Sequence, residues 1–145
     1  MIVRFKKLNE RAVMPTKGSE YSAGADLYSA EPTSITVKPG ETVFIGTGLA
    51  VEIPEGYAGL VYARSGIACK RGLAPANKVG VIDADYRGEV KVALHNHSLE
   101  TQTIEKGERI AQLVVTPFLS VDYVESDTLS DTSRGEGGFG STGKL

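Results

Sequence analysis

Apolar residues recur along this chain at a spacing of two, in short runs separated by turn signals. Ile35 and Val37 alternate with Ser34, Thr36 and Lys38 before Pro39-Gly40 turns the chain. Residues 42–45 and 49–53 read as two successive strands, closed by Pro54-Glu-Gly56, and 59–62 as another. Val90, Val92 and Leu94 alternate with Lys91, Ala93 and His95 in the clearest half-buried strand. Residues 102–105 and 109–117 flank the turn Lys106-Gly107, and 121–124 reads as a last short strand. Helical character is confined to 65–70, with Ser65 as N-cap and Gly72 just past the end. The pattern predicts an all-β barrel or sandwich of jelly-roll-like form with one short helix.

Past Val124 the alternation stops. A polar stretch, Glu125-Ser-Asp-Thr-Leu-Ser-Asp-Thr-Ser133, leads into Arg134-Gly-Glu-Gly-Gly-Phe-Gly-Ser-Thr-Gly-Lys-Leu145, where five of twelve residues are glycine. The expected organisation is one folded domain over residues 1–125, followed by a flexible linker and glycine-rich C-terminal lid over 126–145. Glycine-rich termini are usually plain tails. This one also carries a forked cation at Arg134, an aromatic face at Phe139, and hydroxyls at Ser141 and Thr142 beside Gly140. Those groups suit closure over an anionic, ring-bearing ligand. Gly138 to Lys144 fits the G-x-x-x-x-G-K spacing of a phosphate loop, but Leu145 replaces the required hydroxyl residue and no helix follows. That architecture is excluded.

Composition narrows the setting. At 145 residues with 41% hydrophobic content, the chain has the makings of one real core. A net charge of -2 with interspersed signs gives no basic arm for nucleic acid and no polybasic membrane patch. Neither a signal-peptide core nor a membrane-spanning run is present, and the lone Cys69 excludes an intrachain disulfide framework. A reducing cytoplasmic location is the simplest expectation.

Several short constellations carry candidate chemistry. In Asp83-Ala-Asp85-Tyr86-Arg87-Gly88 the carboxylates could activate water, bind a sugar hydroxyl or approach a metal. On residue types alone, a turn capped by aspartates with Tyr86 packed on the barrel comes first. Ala63-Arg64-Ser65-Gly66 could cradle phosphate, or could be a simple helix cap beside a solvated Arg64. Asp26, between small residues, could approach a phosphate-borne magnesium or merely end a strand. His95 and His97 lack a third ligand and read as surface or subunit-contact residues. Cys69 lacks a base partner and reads as a small packed residue.

The order of these constellations is more specific than any one of them. Ala23-Gly-Ala-Asp-Leu27, Ala63-Arg-Ser-Gly66, Gly80-Val-Ile-Asp-Ala-Asp-Tyr-Arg-Gly88, Gly107-Glu-Arg-Ile-Ala-Gln-Leu113 and Arg134-Gly-Glu-Gly-Gly-Phe-Gly-Ser-Thr142 resemble the five ordered motifs of trimeric dUTPases. The resemblance spans essentially the whole chain. One departure is Ala63, where the family often has proline; it removes no functional group.

The resemblance implies a distorted jelly-roll-like β-barrel that hydrolyses dUTP to dUMP and pyrophosphate with Mg2+. That reaction limits uracil incorporation into DNA and supplies dUMP for thymidylate synthesis. It further implies that Asp83 activates the water attacking the α-phosphorus and also holds the 3′-hydroxyl. Tyr86 would press on the sugar, and Asp26 would reach magnesium through water. Arg64, Ser65, Gly66 and Gln112 would hold phosphates. Asn77 and main-chain groups of Val81, Ile82 and Lys91, in a hairpin spanning 77–91, would read uracil. Phe139 would close over the base, with Arg134, Gly140, Ser141 and Thr142 completing the lid. The implied assembly is a homotrimer with shared active sites. Two other functions are compatible with this fold: a dCTP deaminase-related enzyme, which would use a glutamate near the base, and a non-catalytic nucleotide sensor.

Overall fold

The computed structural model describes residues 1–138. Its strands are β1 (Arg4–Lys7), β2 (Thr16–Lys17), β3 (Ala25–Tyr28), β4 (Ile35–Val37), β5 (Thr42–Glu52) and β6 (Tyr57–Tyr62). Helix α1 (Ser65–Arg71) follows, then β7 (Leu73–Pro75), β8 (Gly80–Ile82), β9 (Glu89–Asn96), β10 (Gln102–Ile104) and β11 (Arg109–Pro117). Two larger sheets have the orders β1-β5-β9-β7 and β2-β3-β11-β6-β8, and β10 pairs with β4 in a third, two-stranded one. The all-β, jelly-roll-like expectation holds, although the sheets do not close into one continuous barrel.

Alternation builds the core. Val90, Val92 and Leu94 on β9 point inward, and Leu27, Ile110 and Leu113 meet them from the other large sheet. The same inward row of β9 ends on a polar residue, Asn96, which is fully buried. Its amide donates to the carbonyls of Val37 (2.9 Å) and Glu100 (2.8 Å), and its oxygen accepts from the Ser98 amide (2.9 Å). Full satisfaction makes that burial tolerable. Leu94 has no exposed surface. Leu94→Ala should therefore cost about 2–5 kcal/mol of stability, read as a lower denaturation midpoint at unchanged slope.

Four local expectations change. Residues 42–53 are not two strands: β5 runs unbroken from Thr42 to Glu52 and absorbs Gly46 to Leu49 as a bulge against β9. Residues 121–124 form no strand, because no neighbouring strand supplies a ladder there and Val121, Tyr123 and Val124 are exposed. The helix is capped by Arg64 rather than Ser65, with no side-chain cap bond, so Ser65 is its first residue. Gly72 ends it in the left-handed region (φ 66°), as expected. Finally, Cys69 is exposed rather than packed.

Candidate active site

The route from β7 to β9 creates a cleft. β7 pairs with β9 only as far as Pro75 opposite Leu94, with one further bond from the Ala76 amide to the Ala93 carbonyl (2.7 Å). The chain then turns through Lys78, which takes a positive φ of 63°, and enters the other large sheet as β8. Segment 77–91 is thus not a paired hairpin. Its first arm pairs with β6 and its second with β5, so the two arms belong to different sheets.

That crossing leaves backbone unpaired where it matters. β8 is an edge strand, bonded to β6 alone. Residues 89–91 of β9 pair with β5 on one side, while β7 has already ended on the other. Among the described residues, two backbone edges therefore face a common cleft with donors and acceptors to spare. Phe44, Asn77, Val81, Ile82, Asp83, Tyr86, Glu89 and Lys91 are among the residues lining it, and its volume is about 340 Å³. Gly80 keeps room for the Asn77 amide, since an added Cβ would lie 3.2 Å from Asn77 Nδ2.

Asp83 and Tyr86 stand at the mouth. The Asp83 carbonyl accepts from the Tyr86 amide (3.1 Å), the turn that residue types alone suggested. Its carboxylate is exposed and makes no hydrogen bond or ion pair among the described residues, which leaves it open to water or a hydroxyl. Asp85 does not line the cleft, so the structure separates two aspartates that sequence could not rank. Tyr86 folds its ring over Gly88 and donates its hydroxyl to the Glu89 carbonyl (3.0 Å).

A second cluster sits elsewhere on the five-stranded sheet. Asp26, Gln112 and Tyr62 stand abreast on β3, β11 and β6. Arg64 Nε donates to one Asp26 oxygen (2.6 Å) and Arg109 Nη1 to the other (3.2 Å). Asp26 is only 16% exposed at its side chain. Gln112 donates to the Ala63 carbonyl (2.8 Å) and lies directly over Gly24, where a Cβ would overlap its amide. Ser65 and Gly66 are exposed at the start of α1. Arg109 was not singled out from the sequence; its place in the strand beside Gln112 was the available signal.

The two clusters do not merge within one chain. β3 and β8 are three strand spacings apart, roughly 14 Å at ~4.8 Å each. Arg134 lies outside both, donating to the Gly137 carbonyl (2.7 Å), and Phe139, Gly140, Ser141 and Thr142 fall outside the described residues. His95 and His97 form an edge-to-face pair 4.4 Å apart, with Thr42 Oγ1 2.8 Å from His95 Nδ1. Lost hydration, then the charges of Lys78 and His95, hold His97 below the usual imidazole range.

Compared with known proteins, the chain as a whole is similar to one family. A family model described as dUTPase matches residues 10–143. The deoxyuridine 5′-triphosphate nucleotidohydrolase of Nautilia profundicola is 51% identical over 144 residues, covering 99% of this chain and all of that protein. A solved structure of a mutant Staphylococcus bacteriophage 80alpha dUTPase with dUpNHpp superposes with a TM-score of 0.89 at 34% identity, covering 98% of both chains. A mutant of the phage phi11 dUTPase from S. aureus, described for its structural Mg(II) ion, gives 0.82 at 28% identity, over 90% of this chain and all of that one.

Proposed function

The chain belongs to the dUTPase family and hydrolyses dUTP to dUMP, and from that premise we propose that the inter-sheet cleft holds uracil and deoxyribose while the Asp26 cluster handles the triphosphate. The observation that carries this reading is the pair of unpaired backbone edges, on β8 and on residues 89–91, with Asn77 beside them. Main-chain groups of Val81, Ile82 and Lys91, with the Asn77 amide, suit the alternating donors and acceptors of uracil. Cytosine presents the opposite pattern and would leave amides unpaired, at on the order of several kcal/mol. A methyl at thymine C5 would clash in so narrow a slot.

Asp83 then takes the proton of the attacking water. The new bond joins water oxygen to the α-phosphorus as the bond to the α–β bridging oxygen breaks, and pyrophosphate leaves with its charge met by cations and amides. Tyr86 walls the sugar face. Arg64, Ser65, Gly66 and Gln112 hold phosphate oxygens. Gly24→Ala should displace the Gln112 amide and lower kcat/KM for dUTP roughly tenfold, with melting temperature nearly unchanged.

Magnesium fits as a guest of the substrate. Among the described residues no three His, Cys, Asp or Glu side chains cluster as a ready metal cage. Asp26 uses one lone pair of each oxygen on Arg64 and Arg109 and keeps others for a metal-bound water. Bound Mg2+ would supply charge neutralisation on the triphosphate.

The separation of the two clusters supports a homotrimer in which one chain's cleft is completed by a neighbour's Asp26, Arg64 and Gln112. The arm after β11 points the same way: Leu119, Tyr123, Val124 and Leu129 are all more than 80% exposed, an apolar surface suited to a second copy. The tail, with Arg134, Phe139, Gly140, Ser141 and Thr142, closes over the occupied site. A reducing, cytoplasmic setting suits the exposed, unpaired Cys69.

A pyrophosphate-release assay with dUTP, dTTP, dCTP and UTP, with and without magnesium, tests the reading. Release from dUTP alone, dependent on magnesium, is expected. Ammonia from dCTP, or saturable dUTP binding without pyrophosphate, would overturn it. Light scattering at three times the 15.4 kDa chain mass tests the assembly.

A further inference from the structure

The bulge in β5 needs outside support. Between the pairs Gly46–Lys91 and Ala50–Glu89, Thr47, Gly48 and Leu49 face Val90 alone, so the ladder fails there and buried amides lose their partners. Two carboxylates replace them. Glu31 Oε1 accepts from the Gly46 amide (2.8 Å) and Glu89 Oε1 from the Gly48 amide (2.8 Å). Gly48 holds a positive φ of 65°, and an added Cβ would press on Asn9 and Ala12, so this backbone has little room to relax.

Glu89 also faces the cleft, where its second oxygen lies 3.6 Å from Lys91 Nζ. Its main-chain carbonyl accepts the Tyr86 hydroxyl. One residue therefore ties the buried bulge, the unpaired edge at Lys91 and the Tyr86 ring to a single point. No other residue among the described ones makes all three links, two through its carboxylate and one through its carbonyl.

We propose that Glu89 is a positioning residue for sugar discrimination: its carboxylate fixes the start of β9 to the β5 bulge, and its carbonyl thereby fixes the Tyr86 ring against the substrate's 2′ position. The inference rests on the reading of Tyr86 as the sugar wall. It predicts that loosening either end of the link lets the ring retreat and admits a ribose hydroxyl.

The test is the ratio of kcat/KM for dUTP to that for UTP, with thermal melting on every variant. Glu89→Ala should lower the ratio about tenfold, the loss expected of one charge-assisted anchoring bond. Glu89→Gln retains an oxygen for the Gly48 amide and should restore the ratio, which a role through charge alone would not. Tyr86→Phe cuts the other end without touching Gly48 and should lower the ratio in the same direction; it decides the matter if Glu89→Ala does not fold. An undiminished ratio in folded Glu89→Ala, or in Tyr86→Phe, overturns the proposal. Tyr86→Ala separates the two ideas: if it leaves the ratio unchanged, the sugar-wall reading itself has failed.

Discussion

Asp83→Asn is expected to lower kcat for dUTP by about 10²–10⁴-fold while leaving KM close to that of the parent chain. The asparagine keeps the size of the side chain and an oxygen that can accept from a sugar hydroxyl, but it cannot take a proton from water. Geometry favours so clean a result. The Asp83 carboxylate is exposed at the cleft and bonds to no other side chain among the described residues, while the turn it begins is held by its backbone carbonyl and the Tyr86 amide. Nothing structural depends on the charge. Steady-state kinetics, with equilibrium binding of a non-hydrolysable dUTP analogue, is the check. A variant turning over at near-parental rate would remove Asp83 as the base, and a loss of binding equal to the loss of rate would make it a ligand contact only.

Ending the chain at Ser133 should give a comparable loss by a different route. kcat/KM for dUTP should fall by at least about 10²-fold, since a forked cation, an aromatic lid and two hydroxyls are removed together. Melting temperature should stay within a few degrees. Among the described residues, every buried core residue lies at or before Leu113, and residues 118–136 are exposed throughout. A large drop in melting temperature would contradict that separation of fold from catalysis. The difference in analogue affinity between truncated and full-length chains should shrink at high salt, because part of the tail's contribution is charge.

Legibility from sequence followed the range of the interactions. β9 was readable because its alternation and its burial are the same pattern seen twice: Val90, Val92 and Leu94 are apolar and inward, and Lys91 faces out. Gly72 was readable because a left-handed residue at a helix end has a local cause. β5 reads as two strands in the sequence because Gly46 and Gly48 look like a break, whereas Glu31 and Glu89, 15 and 41 residues away, bridge it. Residues 121–124 look like a strand by composition, but a strand exists only where a partner supplies its ladder. The exposure of Cys69 is not legible for a related reason, since a seven-residue helix has an outer face that composition does not mark.

The sequence alone determined the class of fold, the family and the inventory of chemical groups: Asp83, Tyr86, Asp26, Arg64, Gln112 and the glycine-rich tail are local motifs in a fixed order. Only the tertiary structure decided how they are shared out. It put β8 and β9 in different sheets and opened a slot of unpaired backbone between them. Asp83 was thereby separated from Asp85, Arg109 was joined to Asp26, and Glu89 was set between the bulge and Tyr86. The reason is physical. A motif specifies which groups a short stretch can offer, but strand pairing couples residues tens of positions apart through backbone bonds that every residue type can make.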